Sequence, residues 1–419
     1  MGHVVPTPAG SYRANWRDPS GRQRAKTFRT KREANAFLAE VDTTLNRGTY
    51  VDPHAGRIMF DAYADRWLAA RNDEITTAAR DRSIMRNHVI ARWGDLPLGK
   101  IHHLAVQEWV TMLGRRLAPA SVAQCHRLGS AVMRTAVLDR VIAANPFDGV
   151  RLPPTRRKDS ADQVVTPAEI VGKLLPVVPE RYRAVVGLAA GTGFRWGECV
   201  GLRWDAVDLV AGTVTVLRVA VEVAGTVTSK PYPKSKAGRR TVPLPPFVRE
   251  LLAGYRAAYP AGPAGELFTN TAGGPLRRTH FRARIWRPAL VRAGLLGAVV
   301  PTGQYRYLAR WPDAAGVEWS AEFTTEREAV ACVVRKAAGG LRFHDLRHSY
   351  ATWLVSEGVP INDIARVMGH EQTSTTLNLY THGSEGRDGR VRAALADFSL
   401  TSGSGEVAAD ADEPSEEGS

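Results

Sequence analysis

Histidine, arginine and tyrosine side chains with a spacing suited to phosphate chemistry occur close together near the end of the chain. His344 precedes Arg347 by three residues, and side chains three apart share one face of a helix. Arg347 offers a rigid fork of donors that matches a phosphate group. His370 follows Gly369, where the pattern predicts the end of a helix, and Tyr380 comes ten residues later. These residue types suit the attack of a tyrosine hydroxyl on a phosphodiester, with cations stabilising the developing charge.

Each of these residues also has an ordinary structural interpretation. His344 and His348 lie four residues apart, a spacing that metal sites use as well, but no further ligand cluster occurs nearby in the sequence. Tyr380 lies at helical spacing from Leu377, so it could belong to a hydrophobic core. What favours catalysis is the joint order and spacing of the residues, because no single one of them is specific.

The order HxxR, then GH, then Y resembles the C-terminal signature of the tyrosine recombinases, the phage-integrase family. That resemblance implies two further groups upstream, an arginine in a TGxRxGE turn and a lysine in a β-hairpin. The turn is present as TGFRWGE at residues 192–198, which makes Arg195 the expected catalytic arginine. The predicted turn of the hairpin carries three lysines, Lys230, Lys234 and Lys236. Lys236 best matches the position in the family, and Lys234 is the second choice.

The resemblance implies a role for each of these residues. Tyr380 is expected to attack a DNA phosphodiester and form a 3′-phosphotyrosyl bond. His344 is expected to assist the tyrosine proton, and Lys236 to protonate the 5′-hydroxyl leaving group. Three groups are expected to stabilise the pentacoordinate phosphorane: Arg195, Arg347 and His370. Because bond energy stays in the phosphotyrosine, the reaction is expected to need no metal, ATP or other cofactor.

The composition favours a soluble protein with a polyanionic partner. The chain of 419 residues has a net charge of +14, and its last 19 residues carry six acids and no Lys or Arg. The rest of the chain is therefore more basic still, which favours DNA as the partner, although charge alone also fits an ordinary basic protein. Three cysteines far apart in sequence argue against a disulfide framework and predict a cytoplasmic protein. No apolar run is long enough to span a membrane.

The predicted fold is multidomain and mainly α-helical with small β-sheets. Residues 1–55 predict a ββ(β)α module, residues 57–150 a helical domain and residues 151–163 a linker. Residues 164–400 predict a mixed α+β domain, and residues 401–419 an acidic disordered tail. By the resemblance, these are an arm-type DNA-binding module, a core-binding domain and the tyrosine-recombinase catalytic domain.

The N-terminal module is unusually rich in basic residues. A sheet that exposes arginine and lysine can enter the major groove of DNA. The alternative is a generic ββα module with a solvated charged face. The basic side chains are Arg13, Arg17, Arg22, Arg24, Lys26, Arg29, Lys31 and Arg32.

A segment at about 301–340 resembles this N-terminal module. The paired motifs are Gly303-Tyr305-Arg306 with Gly10-Tyr12-Arg13, Asp313…Gly316 with Asp18…Gly21, and Phe323…Ala329 with Phe28…Ala34. We interpret the segment as a second, inserted ββα-like module that loops out of the catalytic domain. Glutamates replace much of its Arg and Lys, which favours protein contact or regulation over DNA binding. Chance similarity of two short sheets is the alternative.

Together these features predict a site-specific integrase of a phage or other mobile element. Its expected partners are double-stranded DNA attachment sites, three further copies of itself in a homotetramer, and a directionality factor or host DNA-bending protein. One alternative is a type IB topoisomerase-like enzyme that relaxes DNA by the same chemistry. Another is a DNA-binding protein that keeps the fold without the activity.

Overall fold

The computed structural model describes residues 2–19, 21–52, 54–154, 164–231 and 238–370. The chain divides into two compact units, one formed by residues 1–158 with 223–226 and the other by the remainder. Within the described ranges, no helix is long and apolar enough to cross a membrane. The predicted multidomain, mainly helical fold with small antiparallel sheets is confirmed.

The N-terminal module is a three-stranded antiparallel sheet covered on one face by a helix. Its elements are β1 (His3–Pro6), β2 (Tyr12–Arg17), β3 (Gln23–Phe28) and α1 (Lys31–Asn46). The Thr30 hydroxyl accepts a hydrogen bond from the Glu33 N–H, and the Glu33 carboxylate accepts one from the Thr30 N–H. This is the capping box that the sequence predicts at the start of α1.

The two faces of this sheet differ in character because side chains alternate along each strand. Ala14 and Trp16 pack in the core with α1, and the Trp16 indole donates a hydrogen bond to the Tyr50 hydroxyl at 2.9 Å. Arg13 and Arg17 lie on the opposite face and are exposed. The open face of the sheet is therefore basic.

Residues 57–150, predicted to be helical, contain helices from Phe60 to Leu138, which enclose an aromatic core. The rings of Trp93, Trp109 and Phe147 meet edge to face, with centroids 5.7 to 6.4 Å apart. The helices are α2 (Phe60–Ala69), α3 (Ile75–Ile84), which continues through a π-helical segment into α4 (Ala91–Trp93), α5 (His103–Gly114) and α6 (Pro119–Leu138).

A buried carboxylate in this unit gathers three arginines. The Asp81 side chain is fully buried and accepts hydrogen bonds from Arg71, Arg80 and Arg127 at 3.0 to 3.2 Å. The side chains of Arg80 and Arg127 remain 56% and 45% exposed. Asp81 thus fixes guanidinium groups that still face solvent.

From residue 164 onward, most of the elements pack around one hydrophobic core. The Thr166–Glu169 capping box and Pro167 start the first helix, as predicted. The helices before residue 298 are α7 (Pro167–Glu169), α8 (Leu175–Val177), α9 (Glu180–Thr192), α10 (Trp196–Val200), α11 (Pro246–Ala258), α12 (Arg278–Phe281) and α13 (Arg287–Arg292). The strands are β4 (Val207–Asp208), β5 (Thr213–Thr215), β6 (Val219–Val223), β7 (Thr226–Lys230) and β8 (Thr241–Pro243).

The strand arrangement corrects part of the sequence prediction. The alternating pattern at Thr213–Val221 predicts one strand, joined by the turn that carries Lys230, Lys234 and Lys236 to a return strand beginning at Gly238. Instead β4, β5 and β8 form one sheet, and β6 and β7 form a separate hairpin. The break follows Val216, whose N–H still bonds to the Arg240 carbonyl, and Arg218 just beyond it pairs with Asp205. Lys230 therefore ends a strand, where the sequence placed it in a turn.

Residues 298–336 form a second sheet-and-helix module with the same order of elements as the first. The elements are β9 (Ala298–Gly303), β10 (Arg306–Pro312), β11 (Glu318–Phe323) and α14 (Glu326–Lys336). Tyr307 pairs with Phe323 as Tyr12 pairs with Phe28. The predicted match of Tyr305 to Tyr12 is wrong by two residues, because Tyr305 lies in the turn with a left-handed φ of 59°.

The second module does not simply loop out. Val330 and Val333 of α14 are buried in the same core as the surrounding unit. The Arg287 side chain donates hydrogen bonds to the carbonyl groups of Val334, Ala337 and Gly339 at 2.8 to 3.2 Å, which anchors the end of α14. The remaining helices are α15 (Asp345–Ser356) and α16 (Ile361–Met368).

Candidate active site

A tight turn between α9 and α10 presents Arg195. Gly193 ends α9 with a left-handed φ of 65°, which glycine adopts without strain. A Cβ atom at Gly193 would lie 2.5 Å from the Tyr350 ring and 3.0 Å from the Met368 sulfur. Only glycine fits this close approach. Arg195 then stands at the N-cap of α10, one residue before the helix starts.

Arg347 fastens α15 to both neighbouring segments. Arg347 is only 2% exposed. Its guanidinium donates one hydrogen bond to the Gly193 carbonyl at 2.7 Å and another to the Met368 carbonyl. The arginine therefore links α15 to the turn before Arg195 and to the end of α16.

Glu198 is a buried carboxylate shared by two arginines. It accepts hydrogen bonds from the Arg195 N–H at 2.8 Å and from the Arg195 guanidinium at 3.0 Å. It also accepts two from the Arg240 guanidinium, at 3.1 and 2.9 Å. Burial acts to raise the pKa of Glu198, but the hydrogen bonds and charge of Arg240, with the charge of Arg195, lower it to about 2. Glu198 is therefore ionised at neutral pH and orients the arginine.

Arg195 is the accessible cation of this group. Its side chain is 41% exposed, whereas those of Glu198 and Arg240 are 3% and 4% exposed. One edge of its guanidinium is held by Glu198 while the side chain still reaches solvent. This geometry suits the binding of an anion from outside.

His344 lies one turn before Arg347, at the N-cap of α15. Its ring meets that of His348 edge to face with centroids 5.1 Å apart. Although the residue keeps exposed surface, burial is the largest of the causes that lower the pKa of His344 to about 4. The charges of His348, Arg347 and Arg195 also lower it. His344 is therefore neutral at pH 7 and can accept a proton.

His370 follows α16 directly. Gly369 ends that helix with a left-handed φ of 62°, which confirms the predicted helix end. Burial and the charges of Arg347, Arg195 and Arg240, in that order, lower the pKa of His370 to about 4. A neutral imidazole here can donate a hydrogen bond without adding a charge.

The structure thus brings four of the predicted residues to one place, namely Arg195, His344, Arg347 and His370. Tyr380, Lys234 and Lys236 lie outside the described residues, so their predicted positions stay predictions. Among the described residues, no group of three or more His, Cys, Asp or Glu side chains could hold a metal ion.

Arg240 is the site residue that the sequence analysis missed. The sequence alone assigned no role to this arginine. A signal was present, because Arg240, Val242 and Leu244 alternate as buried positions with exposed Arg239, Thr241 and Pro243 between them. An arginine on the inward side of a strand requires a buried acceptor, and Glu198 is that acceptor.

Comparison with known proteins assigns this arrangement to a family. The phage integrase family matches residues 164–302 and 324–387. The chain belongs to the phage integrase family. It is 27% identical over 409 residues to a protein named as the phiRv2 prophage integrase of Mycobacterium tuberculosis, a match that covers 94% of this chain and 95% of the other.

Solved integrase structures share the fold. The Tn1549 transposon integrase, bound to circular intermediate DNA, matches with a TM-score of 0.60 at 18% identity, covering 81% of this chain and 100% of the other. The lambda integrase tetramer bound to a Holliday junction matches with a TM-score of 0.50 at 17% identity, covering 90% and 94%. This phage integrase is a tyrosine recombinase, an enzyme that cleaves and rejoins DNA strands. The unmatched interval 303–323 contains β10 and β11 of the second module.

The integrase site concentrates positive charge without charged histidines. Arg195 and Arg347 supply fixed cations, while the neutral rings of His344 and His370 supply a proton acceptor and a hydrogen-bond donor. Groups fixed before the substrate arrives stabilise transition-state charge with little reorganisation. The arrangement is therefore suited to phosphoryl transfer at a phosphodiester.

We expect His344 and His370 to stay neutral well below pH 6.5 in the DNA-free protein. Their lowered pKa values predict no titration of either ring between pH 8 and roughly 5.5. NMR titration of the imidazole protons measures this, with His344→Gln and His370→Gln variants assigning the two signals. Because the unfolded chain binds these protons near pH 6.5, the free energy of unfolding should fall as the pH drops from about 6.5 to about 4. A midpoint near 6.5 for either ring would contradict this electrostatic account.

Proposed function

We propose that this integrase inserts and excises a phage or other mobile element at specific DNA sites, with Tyr380 as nucleophile. The observation that carries the proposal is that Arg195, His344, Arg347 and His370 lie close together, with Arg195 and His344 accessible to solvent. The family supplies the reaction class, and the residue roles are inferred from chemistry and from the matching motifs.

In the proposed cleavage step, the Tyr380 hydroxyl attacks the scissile phosphorus atom. A bond from phosphorus to the tyrosine oxygen forms, and the bond to the 5′-oxygen breaks, which leaves a 3′-phosphotyrosyl strand. Neutral His344 takes the tyrosine proton, and Lys236, or Lys234 in its place, gives a proton to the departing 5′-oxygen. Rejoining reverses these transfers with a 5′-hydroxyl of the partner strand as the nucleophile.

Arg195, Arg347 and His370 would stabilise the pentacoordinate phosphorane. Each donor in such a position typically contributes about 10²–10³ in rate. The buried Arg347 is fixed by two carbonyl groups, whereas the more exposed Arg195 can meet an incoming phosphate. The negative charge of the phosphorane would therefore be met by one fixed and one accessible cation.

We also propose that the enzyme works as a homotetramer on paired duplex sites. The lambda integrase has been solved as a tetramer on a Holliday junction, the junction that exchange of one strand from each of two paired sites would create. A directionality factor or host DNA-bending protein would select integration or excision. With DNA as its substrate, the protein would act in the cytoplasm of a bacterial host.

The basic open face of the N-terminal module is proposed as a second DNA contact. When the two modules are aligned by strand register, Leu308 takes the position of Arg13, and Glu322 takes the position of its cross-strand partner Thr27. The exposed position of Gln23 likewise corresponds to Glu318. Carboxylates repel phosphate groups, so DNA binding is assigned to the first module only.

The reaction class is tested by a covalent adduct between protein and DNA. Wild-type protein should become linked to a nicked attachment-site duplex that traps the intermediate, and Tyr380→Phe should not, because it lacks the attacking oxygen. A denaturing gel measures the adduct. Tyr305→Phe is the matched control, since Tyr305 is 74% exposed and lies in the second module.

One outcome of that assay, and one of a separate plasmid-relaxation assay, would each contradict part of the proposal. An adduct that persists in Tyr380→Phe would show that another residue is the nucleophile. A protein that relaxes supercoiled plasmid without paired sites as fast as it acts on attachment sites would be a topoisomerase-like enzyme.

The proposed DNA face is tested by removing arginines from each module in turn. Arg13→Ala with Arg17→Ala should weaken binding of arm-site DNA and reduce the slope of log affinity against log salt by roughly 0.9 for each phosphate that is no longer neutralised. Arg310→Ala, an exposed position on the open face of the second module, should leave the slope unchanged. If Arg310→Ala weakened DNA binding as much as the double substitution in the first module, the assignment would be contradicted. Substitutions are preferable to deleting residues 302–339, because α14 is part of the core.

A further inference from the structure

Arg240 occupies the junction of three segments that carry site residues. Its side chain is 4% exposed, and its guanidinium donates two hydrogen bonds to Glu198. It donates another to the Val367 carbonyl at 2.5 Å and one to the Gly238 carbonyl at 3.1 Å. Because its donors are used inside the protein, Arg240 is unsuited to contact DNA itself.

The acceptors of these hydrogen bonds lie in three different segments. Glu198 holds Arg195 through its other hydrogen bonds. Val367 lies in the last turn of α16, three residues before His370. Gly238 is the first described residue after the segment that contains Lys234 and Lys236. One planar side chain with five donors thus connects three segments that lie next to site residues. The shorter ammonium of lysine cannot make the same set of hydrogen bonds.

The charge of Arg240 matters as much as its shape. Glu198 is buried and ionised, and it is bonded to two guanidinium groups. If Arg240 were absent, Arg195 would be the remaining cation of this group. The carboxylate would then draw Arg195 inward and cancel its charge, and Arg195 is the cation that the site presents to solvent.

We propose that Arg240 is a positioning residue for strand cleavage. It balances the charge of Glu198, so that Arg195 can be directed at the phosphate. It also holds the end of α16, so that His370 keeps its position relative to Arg195. This inference rests on the proposed function, because it concerns the cleavage step of that reaction.

The test separates positioning from DNA binding and from folding. Arg240→Met removes the guanidinium while keeping a long side chain, and Glu198→Gln with Arg240→Met also removes the unbalanced carboxylate. Arg218→Met is the matched control, because Arg218 makes the same two-bond pair with Asp205 at the surface of the protein, at 2.9 and 2.8 Å. Single-turnover cleavage of saturating nicked DNA, the DNA Kd and the thermal unfolding midpoint are measured for each variant.

We expect Arg240→Met to lower the cleavage rate by about 10²-fold or more, because displacing a catalytic group by about 1 Å can cost that much. The DNA Kd should stay within about twofold of wild type, since a positioning residue acts on the chemical step. The double variant should cleave roughly tenfold faster than Arg240→Met, because the two residues are coupled. Arg218→Met should match wild type.

The proposal is overturned if Arg240→Met cleaves at the wild-type rate, if its defect lies entirely in Kd, or if the double variant is no faster. Should Arg240→Met fail to fold, Arg240→Lys decides: a wild-type rate refutes the proposal, and a slower rate at unchanged Kd supports it. Wild-type protein that forms no adduct would instead refute the proposed function itself.

Discussion

The site depends on the carboxylate of Glu198 buried between Arg195 and Arg240. A buried charge is tolerated only when it is paired and hydrogen-bonded, and Glu198 is bonded on both oxygens. Removing one partner from such a pair typically costs about 3–5 kcal/mol, so the three residues depend on one another. Because Arg195 follows the turn at Gly193 and Arg240 precedes β8, the ion pair also joins segments that are distant in sequence.

The other residues of the site are positioned or electrostatically influenced by this arrangement. Arg347 bonds to the carbonyl of Gly193, so the turn that presents Arg195 is held from the other side as well. Burial and several arginines so close together lower the pKa of His344 and His370, and the two rings stay neutral. The first unit contains a similar arrangement at Asp81, where a buried carboxylate fixes arginines that remain partly exposed. In both units, rigid guanidinium groups are kept in place before any substrate arrives.

The sequence predicted the parts of the site that depend on local spacing, and it failed where distant segments determine the outcome. The turn before Arg195 and the helix end at Gly369 follow from glycine chemistry that is visible in short motifs. The role of Arg240 depends on Glu198, 42 residues away, and alternation alone indicates that it is buried without naming its partner. The second module was recognised from its motifs, but its alignment was shifted by two residues because the turn that contains Tyr305 is unlike its counterpart. The packing of its helix α14 in the core of the surrounding unit could not be predicted from the similarity of the two modules.

The most direct measurement of the central claim is cleavage by Arg195→Ala of attachment-site DNA whose scissile phosphate is replaced by an uncharged methylphosphonate. If Arg195 acts by neutralising the charge of the phosphate, the variant should be nearly inactive on ordinary DNA and should regain activity on the neutral substrate. Tyr380→Phe should cleave neither. An Arg195→Ala variant that stays equally inactive on both substrates, while wild type cleaves both, would contradict the account.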